Sequence, residues 1–182
     1  MKLSAKVAVL ALPVLCAVTA FAVQEDHGGP PIAKPTEQHA LLANKVGVWD
    51  ATMNAMGMES KAVYDCRKLG DLWVVGDFKG DFMGAPFAGH EVWGFDSEKG
   101  KYVSTWVDNW MDRVMSFEGE YDAAAKTLAM WTEGKDPMTG KPIRERHDSK
   151  FLDADTWEFT MNHPGPDGKY APVMTIRYKR RK

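Results

Sequence analysis

Cysteine is almost missing from this chain: two occur among 182 residues, Cys16 and Cys66. Cys16 lies in an N-terminal segment that reads as removable, so the rest of the chain holds one thiol and cannot close an internal disulfide. A disulfide-stapled scaffold is thereby excluded, and Cys66 reads as a buried free thiol. An excess of one charge is also lacking, with 23 Lys and Arg against 25 Asp and Glu. No basic surplus is available for a polyanion, and no nucleic-acid partner is expected. Beyond the first residues no apolar run nears the ~20 residues that a membrane helix needs, so no transmembrane segment is expected. The five histidines are scattered and show no His-x-x-His or His-Glu-x-x-His spacing, which removes the usual zinc signature. There is no Gly-x-Ser-x-Gly elbow and no phosphate loop, and no catalytic residue is assigned. The length rules out a full TIM barrel but suffices for one well-buried domain.

The N-terminus orders its residues as positive, apolar and small. Lys2 and Lys6 precede an apolar run from Val7 to Val18, and Ala20-Phe21-Ala22 forms a small-x-small cleavage site. This is the pattern of a secretory signal peptide over 1–22, with a periplasmic or extracellular destination. Loss of Lys2 and Lys6 would move the net charge from -2 to -4. Residues 23–35, rich in Gly and Pro, read as a flexible lead-in. A single domain is expected over 36–182.

That domain opens with one short helix. Thr36 can cap it, Leu41, Leu42 and Val46 supply an apolar face, and Gly47 can stop it. Strand and turn patterns follow almost without interruption. Ten short runs rich in aromatic and β-branched residues begin near Val48, Lys61, Trp73, His90, Lys101, Arg113, Thr127, Ile143, Trp157 and Val173. Turn chemistry separates several of them, as in Asp96-Ser97-Glu98-Lys99-Gly100 and His163-Pro164-Gly165-Pro166. The expected fold class is mainly β, an antiparallel up-and-down barrel of about ten strands with a short N-terminal helix. Alternation puts Tyr102, Ser104, Trp106 and Asp108 on one strand face and Val103, Thr105 and Val107 on the other. Both faces carry apolar bulk, so alternation alone does not say which lines an interior.

Several elements recur in one order along the domain: Gly47-x-Trp49, Gly84-x-Pro86-Phe87-x-Gly89, Trp93-Gly94-Phe95-Asp96, Lys101-Tyr102-Val103-x-x-Trp106-Val107-Asp108, Gly119-x-Tyr121-Asp122, Asp136-Pro137-x-Thr139-Gly140-Lys141 and Tyr178-Lys179-Arg180. In these the chain resembles the bacterial family called domain of unknown function 1579. One element departs mildly, with Phe95 where the family usually has tyrosine. The resemblance implies a barrel like those of lipocalins and fatty-acid-binding proteins, with a helix near one mouth, and it implies no activity. The nitrobindin-like haem proteins are a related barrel class that carries Gly-x-Trp-x-Gly-x-Gly. Here Ala51 and Met53 stand in place of the second and third glycines, which weakens a haem reading.

Candidate ligand-binding residues follow from chemistry and parity. Trp93 and Trp106 offer apolar area with one donor each. Asp108 ends an apolar strand and, paired with Arg113, can hold a carboxylate head group. His90 and His147 sit on strands and can serve as polar anchors or axial ligands. Met53, Met56 and Met58 raise soft copper binding in an exported protein, although Met53 and Met56 lie on opposite faces of a straight strand. No cofactor is assigned; haem and copper stay as lesser alternatives. The expected function is binding of a small apolar or amphipathic molecule, more in keeping with a carrier than an enzyme. The alternatives are a barrel enzyme with cavity Asp or His groups and a structural module with a filled interior. Oligomeric state is not legible.

Overall fold

A computed structural model describes residues 32–136 and 139–182. The expected signal peptide lies outside the described residues, as does most of the lead-in; residues 32–36 have no regular structure. Residues 33–182 form one unit. Helix α1 (Glu37–Leu42) continues into a 3-10 turn, Ala43–Lys45. Thr36 caps α1 in a reciprocal arrangement with His39, whose Nδ1 lies 3.0 Å from the Thr36 backbone nitrogen. Burial of Leu42 and His39, not length, holds so short a helix in place.

Ten strands follow: β1 (Gly47–Ala55), β2 (Met58–Leu69), β3 (Trp73–Phe82), β4 (Ala85–Asp96), β5 (Lys101–Asp108), β6 (Met115–Asp122), β7 (Thr127–Lys135), β8 (Pro142–Asp153), β9 (Thr156–Pro164) and β10 (Tyr170–Arg180). Each pairs antiparallel with its neighbour in sequence, and β1 also pairs with β10, closing the barrel. The expected mainly β, up-and-down barrel with one short helix is therefore what forms. Closure leaves no strand edge to pair elsewhere.

Tight turns make consecutive pairing cheap. Met56-Gly57 and Met83-Gly84 are two-residue hairpins whose residues all have positive φ, from 52° to 81°. That is the twist a two-residue hairpin demands, and glycine meets it without strain at the second position. At the register break between Pro172 and Met174, Val173 is left out of the ladder, which lets Pro172 sit within a strand.

Pairing also fixes which face is inside. Trp49, Ala51, Met53 and Ala55 of β1 are buried while Val48, Asp50 and Asn54 are exposed. Carried around the barrel, that parity places Tyr64, Phe78, Glu91, Trp106, Phe117, Met130, His147, Phe159 and Ile176 inward. Several inward glycines serve as platforms for large neighbours. A Cβ on Gly76 would lie 2.4 Å from the Tyr64 ring, and one on Gly89 would lie 2.2 Å from the Trp106 ring.

The two barrel ends differ. Beneath α1 and the 3-10 turn, Trp49, Tyr64, Trp157 and Tyr178 make an aromatic floor, with Trp157 stacked on Tyr178 at 3.7 Å and Trp49 edge-on to Trp157 at 6.2 Å. The Trp49 indole donates to the Lys45 carbonyl at 2.8 Å, tying the 3-10 turn to the floor. At the opposite end the inward residues Phe87, Trp106, Met115, Ile143, Met161 and Met174 are only half-buried. An inward side chain of a closed barrel meets solvent through a mouth or a cavity, so this end is open and the helix end is sealed.

Candidate ligand-binding interior

Polar side chains enter the interior at two levels. The deeper one centres on Glu91, in the middle of β4. Its Oε1 lies 3.3 Å from the Lys45 ammonium and accepts a hydrogen bond from the Tyr64 hydroxyl. Lys45 is 1% exposed, and its ammonium also stands 4.0 Å from the Trp93 ring centre and 4.4 Å from that of Trp157. Such a cation is kept in a dry place by its carboxylate and by the indole faces together. Burial pushes the Tyr64 hydroxyl well above its ordinary pKa, and the Glu91 charge pushes it further. Burial also raises the Cys66 thiol, which makes it a poor nucleophile. Among the described residues the buried indole nitrogens of Trp93 and Trp157 have no hydrogen-bond partner.

The second level lies nearer the mouth. His147 Nε2 is 3.0 Å from Glu145 Oε2, and both side chains are buried. His163 Nε2 approaches Glu145 Oε1 at 3.8 Å, too far for a hydrogen bond, and that buried nitrogen has no hydrogen-bond partner among the described residues. Burial pulls the Glu145 carboxyl up, but the His147 hydrogen bond and charge, with His163 and Arg113, outweigh it and leave the group below its ordinary value. Arg113 lies over Gly134, where a Cβ would come within 3.1 Å of its guanidinium. Among the described residues Arg113 makes no hydrogen bond and no ion pair.

The residues singled out from sequence fall into three groups. Trp93, Trp106, Arg113 and His147 lie inside. Trp93 belongs to the sealed floor, and Trp106 and Arg113 to the open half. Asp108 also faces inward but is occupied by its own turn: it accepts from the Trp106 indole at 2.8 Å and from the backbone nitrogens of Trp110 and Met111 at 2.8 and 2.9 Å. It therefore shapes the β5–β6 connection, and the anticipated pair with Arg113 is not formed. His90 lies on the outer face, bonded to Asp77 at 2.9 Å, and drops out of the interior. Its parity explains this: positions 90 and 93 cannot both face inward on a straight strand, and the register selects Trp93. The same rule would have exposed Glu91 and Glu145, because each shares parity with an inward neighbour. Lys45 carried no such signal, since it sits in a turn.

Among the described residues no three His, Cys, Asp or Glu side chains are grouped to hold a metal ion. Met53 points inward and is buried, while Met56 occupies an exposed hairpin tip, so these two thioethers do not face one another. Ala51 and Met53, which replace the glycines of the haem motif, fill the interior with a methyl and a thioether. Shallow grooves lie around the domain. One of about 310 Å³ runs between α1 and the β2–β3 turn, and another of about 450 Å³ lies beside the β1–β2 and β3–β4 hairpins. A third, of about 560 Å³, lies between α1 and the strands carrying Tyr102 and Tyr121.

A closed ten-stranded antiparallel barrel, plugged at one end by a short helix, defines a lipocalin-like protein. Within that class the chain belongs to the family described as protein of unknown function (DUF1579), whose model matches residues 34–180. No curated protein matches it. Among solved structures, Rv2717c from M. tuberculosis is similar in fold, with a TM-score of 0.56 and 10% identity over 82% of this chain and 100% of that one. The S-type phycobiliprotein lyase CPES from Guillardia theta is similar at a TM-score of 0.50 and 12% identity, over 80% of this chain and 93% of that one. No helix among the described residues is long and apolar enough to cross a membrane.

Proposed function

We propose that this is an exported carrier that takes a small amphipathic molecule into the open half of its barrel. The apolar body lies against Trp106, Phe87, Met115 and Phe159, and an anionic end meets Arg113. One observation carries this reading: among the described residues an arginine inside the mouth makes no hydrogen bond and no ion pair, and the Glu145 charge reaches it only through space. A half-buried guanidinium is costly without a partner, and a carboxylate or phosphate fits its fork of donors. The half-buried aromatic and thioether side chains beside it supply the apolar wall that ligand sites usually have. Export rests on the positive–apolar–small order of residues 1–22.

Tryptophan fluorescence titration with a medium-chain fatty acid tests the site. Saturable quenching is expected, with affinity reduced about tenfold in Arg113→Gln, as for loss of one charge-assisted hydrogen bond. Absence of quenching, together with no co-purifying small molecule in native mass spectrometry, would refute the carrier reading. Export is tested separately by cell fractionation and N-terminal sequencing of the mature chain.

A second reading is favoured by the Glu145–His147 pair. A buried carboxylate orienting an imidazole is the arrangement of a general base. It predicts turnover of a bound ligand that His147→Gln abolishes while binding persists.

A further inference from the structure

The Glu91 carboxylate has two oxygens, and they are used unequally. Oε1 takes both the Tyr64 hydroxyl and the Lys45 ammonium. Oε2 has no partner among the described residues. Yet the Glu91 side chain remains 13% exposed, while Lys45 beside it is 1% exposed. Glu91 is six residues along β4 from Ala85 at the mouth. At ~3.3 Å per residue and a tilt near 40°, that places it about 15 Å below the rim. That residual exposure leaves the Glu91 carboxylate reachable by a small group, and Trp106, paired with Glu91 across β4 and β5, flanks it as one of the half-buried residues of the open half.

We infer that Glu91 is a second anchor, at the floor of the chamber, and that it accepts a hydrogen bond from a hydroxyl on the leading end of an apolar ligand. This rests on the carrier reading above and narrows its ligand class. Charge selects the donor. Lys45 already balances Glu91, so a neutral hydroxyl adds no net charge to the site, whereas an ammonium would bring an uncompensated cation next to Lys45. A ligand carboxylate would be repelled by Glu91 at this level and attracted by Arg113 at the mouth. The two anchors thus set a direction: hydroxyl inward, acid outward. The class is an apolar chain or ring system with a hydroxyl at one end and an anion at the other.

Three probes separate the possibilities in one tryptophan-quenching series: decanoate, ω-hydroxydecanoate and decanol. The hydroxy acid is expected to bind about fivefold more tightly than decanoate, the gain from a hydrogen bond to a charged acceptor after desolvation of the hydroxyl. Decanol, lacking the outer anion, is expected to bind more weakly than the hydroxy acid. In Lys45→Met/Glu91→Leu/Tyr64→Phe, which replaces the polar floor by apolar groups together, decanoate should overtake the hydroxy acid. Equal or weaker binding of the hydroxy acid to the parent protein overturns the floor anchor and leaves the carrier reading standing. Binding of none of the three overturns both. The parent comparison alone decides the matter if the triple variant fails to fold by circular dichroism.

Discussion

Lys45→Met removes a charge from the driest part of the barrel and leaves its partner behind. Lys45 is 1% exposed and Glu91 13%, at a separation of 3.3 Å. Breaking a buried pair by deleting one member costs about 3–5 kcal/mol, because the remaining charge has lost its compensation. Water reaching Glu91 softens that penalty, so about 3 kcal/mol is expected. The methionine keeps apolar contact with Trp93 and Trp157 but loses the attraction of a cation for two indole faces. For a domain of this size ~1 kcal/mol moves Tm by about 2–4 °C, which gives a fall of roughly 6–12 °C. The triple variant Lys45→Met/Glu91→Leu/Tyr64→Phe removes the carboxylate and the hydroxyl that depends on it, leaving no charge unpaired. It is expected to recover to within ~1 kcal/mol of the parent or above it. Urea unfolding followed by tryptophan fluorescence measures both. A loss under ~1 kcal/mol in the single variant, or a triple variant no more stable than the single one, would falsify the account of this site as a compensated ion pair.

Acid should weaken the fold through Glu145. Its carboxyl titrates below the ordinary value in the folded chain, so its contribution is present above the unfolded value near 4.5 and is lost as pH falls through the lower folded value. Urea midpoints of the parent should therefore drop more steeply than those of Glu145→Gln below that range, and parallel curves would contradict the assignment. Alkali acts on the phenols with the opposite sign. Tyr64 and Tyr178 are both raised well above 10.0 by burial and by Glu91, so the folded state loses stability as pH climbs past the unfolded value. Phenolate absorbance should show two groups that ionise only with unfolding, and early titration of all five tyrosines would refute this. Gly89→Ala puts a methyl 2.2 Å from the Trp106 ring and should cost about 1–3 kcal/mol, with a shift in tryptophan emission; an unchanged spectrum would place that ring elsewhere. Met56→Asn should stabilise by about 0.5 kcal/mol, because asparagine tolerates the positive φ of 52° better than methionine; a lower urea midpoint would count against the turn geometry.

The strand count was legible because each run alternates and each connection carries its own turn residues. The helix was legible as a capped apolar stretch, though it runs only from Glu37 to Leu42 before tightening into the 3-10 turn. The interior was half legible. Parity tied Tyr102, Ser104, Trp106 and Asp108 to one face, and that face proved to be the inner one. Parity applied strictly would also have separated His90 from Trp93. Lys45 could not have been found, since a lysine in a polar turn carries no periodic signal. Nor could the separation of Arg113 from Asp108 have been seen: it depends on how Asp108 folds back onto Trp110 and Met111.

Local chemistry, then, is enough to specify ten strands, their turns and the two faces of each, because alternation and turn preference act over a few residues. Whether a face lies inside or outside depends on closure between β1 and β10, separated by most of the chain. Lys45, Tyr64 and Glu91 meet because three separate elements converge: the turn before β1 and strands β2 and β4, with Gly76 of β3 leaving room for the Tyr64 ring between them. The seal at the helix end and the open mouth opposite are likewise products of tertiary packing, since a short helix can cover only one end of a barrel.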